Sequence, residues 1–272
     1  MIKNILQLTN KNIALATPLI IFILCVSIYI SNGLSNNIFC VMMSIVVLLL
    51  MYSVFLSGWF YTIKLVLEDV YSDNQNKLIA KFPVGVGEYF LSILGGLIVF
   101  VSVLFVLLII SFILGLKVIG TLNLSVIDVQ NAMLNVASMK AFLISLSKEE
   151  LVRINKWIVL LLANFYVVYY LFLLYIPVIY FKEKHFMKAF VTSLKLLFSK
   201  KIIKTTLFYV MLVFLYCSVS FLSAILSFNV FLSFLGALLN FYFIVFLGIA
   251  LMYYYKREFV DIKIGQNFDK RI

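Results

Sequence analysis

The stretch 88–117, EYFLSILGGLIVFVSVLFVLLIISFILGLK, decides how this chain folds. Between Glu88 and Lys117 it carries no Asp, Glu, Lys, Arg or His. An α-helix rises about 1.5 Å per residue, so such a run exceeds the roughly 20 apolar residues that cross a bilayer's hydrocarbon core. Inside that core water cannot satisfy backbone amides, so a single segment crosses it only as a helix.

The same pattern recurs outward along the chain. Six apolar runs are expected to span, at about 13–30, 38–63, 89–116, 157–181, 206–227 and 229–255. Composition agrees: the chain is 65% hydrophobic and 12% charged, with a mean hydropathy of +1.15. Globular chains run near a quarter charged. The expected fold is an all-α, polytopic integral membrane helix bundle, a single domain over 1–272 with about six transmembrane helices and interfacial amphipathic helices.

The charges, confined to the connections, predict orientation. Seventeen Lys and Arg fall on the side carrying both termini, and five (Lys117, Lys140, Lys148, Arg153 and Lys156) on the other. Basic loops stay cytoplasmic, which places both termini in the cytoplasm of a bacterial cell. The first span follows Lys3 and Lys11 and ends in SIYISNGLSNN without a clear A-x-A site, so it is expected to remain as an uncleaved anchor. A net charge of +11 does not point to nucleic acid, because the basic residues flank spans instead of gathering beside aromatic readers on a folded face.

The most charged connection, 182–205, contains FKEKHFMKAFVTSLKLLFSKK. Phe186, Met187, Phe190, Val191, Leu194, Leu197 and Phe198 recur at helical spacing, opposite Lys188, Thr192, Lys195 and Ser199. This elbow is expected to lie flat on the anionic inner leaflet or to pack on the protein's own spans, two arrangements that are compatible. Lys184, Lys188, Lys195, Lys200 and Lys201 are the candidate lipid-headgroup contacts. In the other connection on that side, 64–90, Asp69, Asp73, Asn74 and Asn76 suggest a solvated turn, without the ligand alternation of a calcium loop. Pro83, Gly85 and Gly87 are expected to break regularity before Glu88 opens the third span. In the outer loop, 117–156, the segment 123–144 reads as amphipathic cover, and Ser147 with Glu150 reads as a capping box starting a helix toward Trp157.

Chemistry is sparse. Cys25, Cys40 and Cys217 are scattered and His185 stands alone, so neither a disulfide framework nor a metal site is expected. There is no GxxxxGK[ST], HExxH or GxSxG, and no paired intramembrane aspartates. Glu68 with Asp69, and Glu149 with Glu150, are adjacent and diverge on a helix. Asn164 and Asn240 are the amides singled out inside spans, as interhelical hydrogen-bonding groups. Gly58, Gly95, Gly96, Gly236 and Gly248 are read as points of close helix approach. No catalytic residue, metal or cofactor is expected.

Two local patterns carry a resemblance. Gly58-Trp59 with Phe82, Gly85, Val86 and Tyr89, and the elbow residues Phe186, Ala189, Phe190, Ser193 and Leu194, look like a loosely defined group of bacterial and archaeal multi-span proteins of unknown function. That group includes the membrane portion of some glycerophosphodiester phosphodiesterases. The resemblance implies only a six-helix membrane module, often of accessory or unknown role; without a catalytic domain of that kind, phosphodiesterase activity is not expected. The function expected first is a non-enzymatic accessory, scaffold or immunity-like partner of membrane components, in contact with membrane lipids and other membrane proteins. The second is a permease subunit forming a pathway with a second copy or a separate ATPase, lined by Asn164, Tyr166, Tyr169 and Tyr170 or by Asn240 and Tyr242. A lipid-modifying enzyme ranks third.

Overall fold

The structure is a computed structural model, and it describes residues 1–33, 38–68, 75–122, 125, 130, 132 and 136–261. Among these residues the chain is helical and contains no strand. It has six segments long and apolar enough to cross a membrane, at Ile13–Ser31, Phe39–Leu67, Gln75–Val118, Lys148–Phe181, Ile202–Leu226 and Val230–Val260. This is a multi-pass membrane protein.

The helices are α1 (Ile2–Lys11), α2 (Ala16–Gly33), α3 (Ile38–Leu67), α4 (Gln75–Ile79), α5 (Phe82–Val118), α6 (Val136–Ser145), α7 (Lys148–Leu171), α8 (Tyr175–Phe181), α9 (Phe186–Leu197), α10 (Ile202–Leu226) and α11 (Val230–Tyr255). A 3₁₀ turn, Ile13–Leu15, joins α1 to α2, and a π-helical segment, Lys256–Asp261, follows α11. The chain divides into two compact units, Met1–Ile98 with Leu171–Ile272, and Val99–Tyr170.

The core of the first unit is aromatic. Trp59 on α3 donates its indole N–H to the Leu15 carbonyl (3.0 Å), stacks on Phe55 at 5.4 Å, and lies where a Cβ on Gly248 of α11 would meet its ring at 2.8 Å. Glycine at that position therefore lets α11 sit directly on the indole. Tyr180 on α8 donates to the Ser57 carbonyl (2.8 Å) and packs against Tyr89 of α5, ring centroids 4.3 Å apart. Outward, Phe214, Phe221, Phe231 and Phe234 are exposed, the inverse of a soluble fold. Lipid tails are their natural solvent.

In the second unit, a Cβ on Gly115 would meet the Trp157 ring within 3 Å, and the Trp157 indole donates to the Gly120 carbonyl at 3.2 Å. The Ser147–Glu150 capping box forms: Ser147 Oγ accepts from the Glu150 amide (3.2 Å), and Glu150 Oε2 accepts from the Ser147 amide (3.1 Å). Helix α7 starts immediately afterward.

Three expectations change. The third helix begins at Phe82, so Pro83, Gly85 and Gly87 do not break it. Proline fits a helix's first turn, where its missing N–H would have had no partner, and Gly85 serves close packing, since a Cβ there would collide with Tyr61 and sit 2.9 Å from the Ser57 carbonyl oxygen. The fourth span is interrupted at residues 172–174. Pro177 can neither donate to the Leu173 carbonyl nor accommodate it sterically, and the chain re-forms with a 3₁₀-type bond from Tyr175 N–H to the Phe172 carbonyl (3.0 Å). Residues 2–11, expected only to carry Lys3 and Lys11 ahead of the first span, form an amphipathic helix packed on α11. The turn proposed around Asp69, Asp73 and Asn74, and most of 123–135, lie outside the described residues; Asn76 sits on α4.

Candidate membrane-interface site

The elbow is one helix, α9, running between α8 and α10. Its start is held from both sides. Lys184 pairs with Glu88 of α5, its ammonium lies 5.3 Å from the centre of the Tyr89 ring, and its carbonyl accepts from the Ser92 hydroxyl. The Lys184 and Glu88 side chains are both substantially exposed, so the pair contributes about 0–1 kcal/mol and acts mainly to fix direction.

The apolar surface of α9, expected as one face, is two. Ala189, Ser193 and Leu197, spaced four apart, are fully buried. Beside them Phe186 covers Gly95, where a Cβ would come 2.6 Å from the ring, and Phe190 stacks on Phe172 at 4.9 Å. Small side chains at 189 and 193 let the helix approach the protein closely. Met187, Val191 and Phe198 instead stay exposed, with Leu194 half-buried between them, and Lys188 and Lys195 come next around the helix. At 100° per residue these four side chains fall within about 60° of arc, and the two lysines follow about 40–60° further on. The helix thus presents protein-facing, apolar exposed and basic sectors in turn.

The five candidate headgroup lysines divide accordingly. Lys188, Lys195 and Lys200 are exposed. Lys184 is paired with Glu88, and Lys201 with Glu258, so the charges of these two are partly spent within the protein. Glu258 was not foreseen as a site residue. It lies in the π-helical segment with only 5% of its surface exposed, and Lys204 Nζ reaches it at 2.7 Å, Lys201 Nζ at 3.5 Å and Arg257 Nε at 3.9 Å. Lys201 also donates to the Glu258 carbonyl and lies 5.0 Å from the centre of the Phe259 ring. One carboxylate thus ties the start of α10 to the end of α11. The available signal was its position, a single acid directly after Lys256 and Arg257 at the end of the last span. Lys256 itself donates to the Leu67 carbonyl (2.6 Å) at the C-terminus of α3, where free carbonyls and the helix dipole favour a cation.

The two span amides both reach a neighbouring helix. Asn164 Oδ1 accepts from Ser111 Oγ (2.9 Å), and its amide nitrogen donates to the Leu160 carbonyl (3.0 Å). Asn240 Nδ2 donates to Ser223 Oγ at 2.8 Å and to the Gly236 carbonyl at 3.0 Å. Gly58 lies under Phe82, where a Cβ would come 2.6 Å from the ring, and Gly85 lies against α3. His185 stacks on Phe186 at 5.1 Å. Cys25 and Cys217 are exposed and Cys40 is half-buried, and all three are free thiols. Among the described residues no three His, Cys, Asp or Glu side chains group as metal ligands. In comparisons with known proteins, no family model, no curated protein and no solved structure matches this chain.

Proposed function

We propose that this chain is a non-enzymatic multi-pass protein of the bacterial cytoplasmic membrane, with both termini cytoplasmic, serving in an accessory, scaffold or immunity-like role. In this reading α9 seats it on the anionic inner leaflet. The observation that carries the proposal is the stripe of exposed Met187, Val191 and Phe198 with half-buried Leu194, running beside Lys188 and Lys195 on a helix whose other side is locked into the protein. Such a surface buries apolar side chains at the acyl boundary while each lysine gains about 1 kcal/mol beside anionic headgroups. A braced elbow suits a holding role. The Asn164 and Asn240 amides, already bonded within the protein, favour this over a polar transport pathway.

Two measurements test it. Reporter fusions after residues 34, 135 and 228 should read outside, and those after 75, 190 and 265 inside; an outside signal at 190 overturns the orientation. Nitroxides at positions 191 and 195 of the protein in phosphatidylglycerol-containing vesicles should show Val191 open to oxygen and Lys195 open to a water-soluble nickel complex. Equal accessibility at the two would refute the seating, and turnover of ATP or lipid by the purified protein alone would refute the non-enzymatic role.

A further inference from the structure

Helix α1 repeats the three-sector design of α9 on a different element. Its protein-facing side is Ile5, Thr9 and Asn12, all buried, and it is pinned to α11 at two places: the Asn4 amide donates to the Tyr253 hydroxyl (3.3 Å), and the Tyr242 hydroxyl donates to Asn10 Oδ1 (2.6 Å). The Gln75 amide of α4 adds a bond to the Lys11 carbonyl. The next sector around the helix is apolar and uncovered: Ile2 is 47% exposed, Leu6 39% and Ile13 46%. Lys3, Gln7, Asn10 and Lys11, all exposed, complete the circumference. At 100° per residue, Ile2 and Leu6 fall about 40° apart on α1, roughly 60° around from the buried Ile5 and Thr9, and Ile13 opens the 3₁₀ turn just beyond the helix.

We infer that α1 is a second interfacial helix, lying in the headgroup layer with Ile2, Leu6 and Ile13 in the acyl boundary and Lys3 and Lys11 against anionic phosphates. Three observations favour lipid over a protein partner. First, α1 ends at Lys11, one residue before the membrane-spanning segment that starts at exposed Ile13, so the C-terminal end of the helix is held at the membrane surface. Second, the sequence contains no Asp or Glu before Glu68, so nothing on α1 or the first two spans repels an anionic surface. Third, α1 precedes the first span and α9 follows the fourth, so an even number of crossings separates them and both helices meet the same leaflet. Two basic amphipathic helices on one leaflet give two points of attachment, and joint attachment exceeds what either achieves alone. The inference rests on the leaflet assignment above but not on α9 itself.

The test uses full-length protein with Cys25, Cys40 and Cys217 replaced by serine, carrying one nitroxide at position 2, 6, 7 or 191, in vesicles of phosphatidylcholine with and without phosphatidylglycerol. Labels at 2 and 6 should show a ratio of oxygen to nickel-complex accessibility several-fold above that at 7. In phosphatidylglycerol vesicles, Lys3→Gln with Lys11→Gln should lower that ratio at position 6 without changing it at 191. Equal water exposure at 6 and 7 overturns the inference. Shielding of position 6 from both reagents also overturns it, in favour of a protein partner such as a second copy. A lipid signal at 191 without one at 6 refutes α1 alone, whereas a lipid signal at 6 without one at 191 refutes the seating of α9 alone.

Discussion

Gly85 and Gly87 sit two residues apart on α5, and replacing each with alanine separates packing from helix propensity. At Gly87 a new Cβ meets nothing within 4 Å, so Gly87→Ala should stabilise by about 0.5–1 kcal/mol, the usual helical advantage of alanine over glycine. At Gly85 the same methyl lands on Tyr61 Cβ and 2.9 Å from the Ser57 carbonyl oxygen, atoms fixed to the backbone of α3 that cannot swing aside. A Cβ 2.4 Å from Tyr61 Cβ forces the α3–α5 contact to open by about 1 Å to reach ordinary van der Waals distance, and overpacking of this kind costs about 1–3 kcal/mol. The propensity gain is common to both variants and cancels in their difference, so Gly85→Ala should be less stable than Gly87→Ala by about 1–3 kcal/mol. The Ser57 carbonyl also accepts the Tyr180 hydroxyl at 2.8 Å. Tyr180→Phe should therefore cost less in the Gly85→Ala background than in the native protein, because neighbouring perturbations are not additive. Unfolding by sodium dodecyl sulfate in mixed micelles, followed by helical circular dichroism, measures the native protein and the four variants. Equal stability of the two alanine variants would refute the close α3–α5 approach on which this reasoning depends.

Two further predictions concern polar contacts. Glu258→Gln leaves Lys201, Lys204 and Arg257 without their carboxylate; removing one partner of a buried pair costs about 3–5 kcal/mol, but these lysines are 32% and 59% exposed, so about 1–2 kcal/mol is expected. Hydrogen exchange should accelerate at residues 256–260 and in the first turn of α10, and unchanged exchange there would refute the tie. Asn240→Leu should destabilise by about 0.6 kcal/mol, the average for a membrane interhelical hydrogen bond, and Ser223→Ala should add little to it. Additive losses in the double variant, measured by the same detergent titration, would mean that the two side chains do not act as a pair.

The helical class and the number of spans were legible in the sequence because they depend on local quantities. A run of uncharged apolar residues long enough to cross a bilayer has one backbone solution whatever surrounds it, and the stretch beginning at Tyr89 declared this without reference to any other residue. The capping box at Ser147 and Glu150 was legible for the same reason, since both partners lie within one turn. The break before Pro177 could have been read from the missing N–H, whereas the apolar content of the fourth span concealed it.

Other features needed the tertiary structure because hydropathy records that a residue is apolar and not what covers it. Lipid and protein interior are equally acceptable to a leucine or phenylalanine side chain, so the sequence alone could not divide α9 into a face locked against Phe172 and Gly95 and a face left open at Met187, Val191 and Phe198. The same ambiguity hid α1, whose stripe of Ile2, Leu6 and Ile13 is visible only once Ile5 and Thr9 are seen to be taken up by the protein. Glu258 gained its role from Lys201 and Lys204, more than fifty residues away in the chain, and Gly85 from a carbonyl on another helix. The spans follow from each segment's own transfer from water to lipid; which side of a helix meets the membrane is decided only by the neighbours that cover the other.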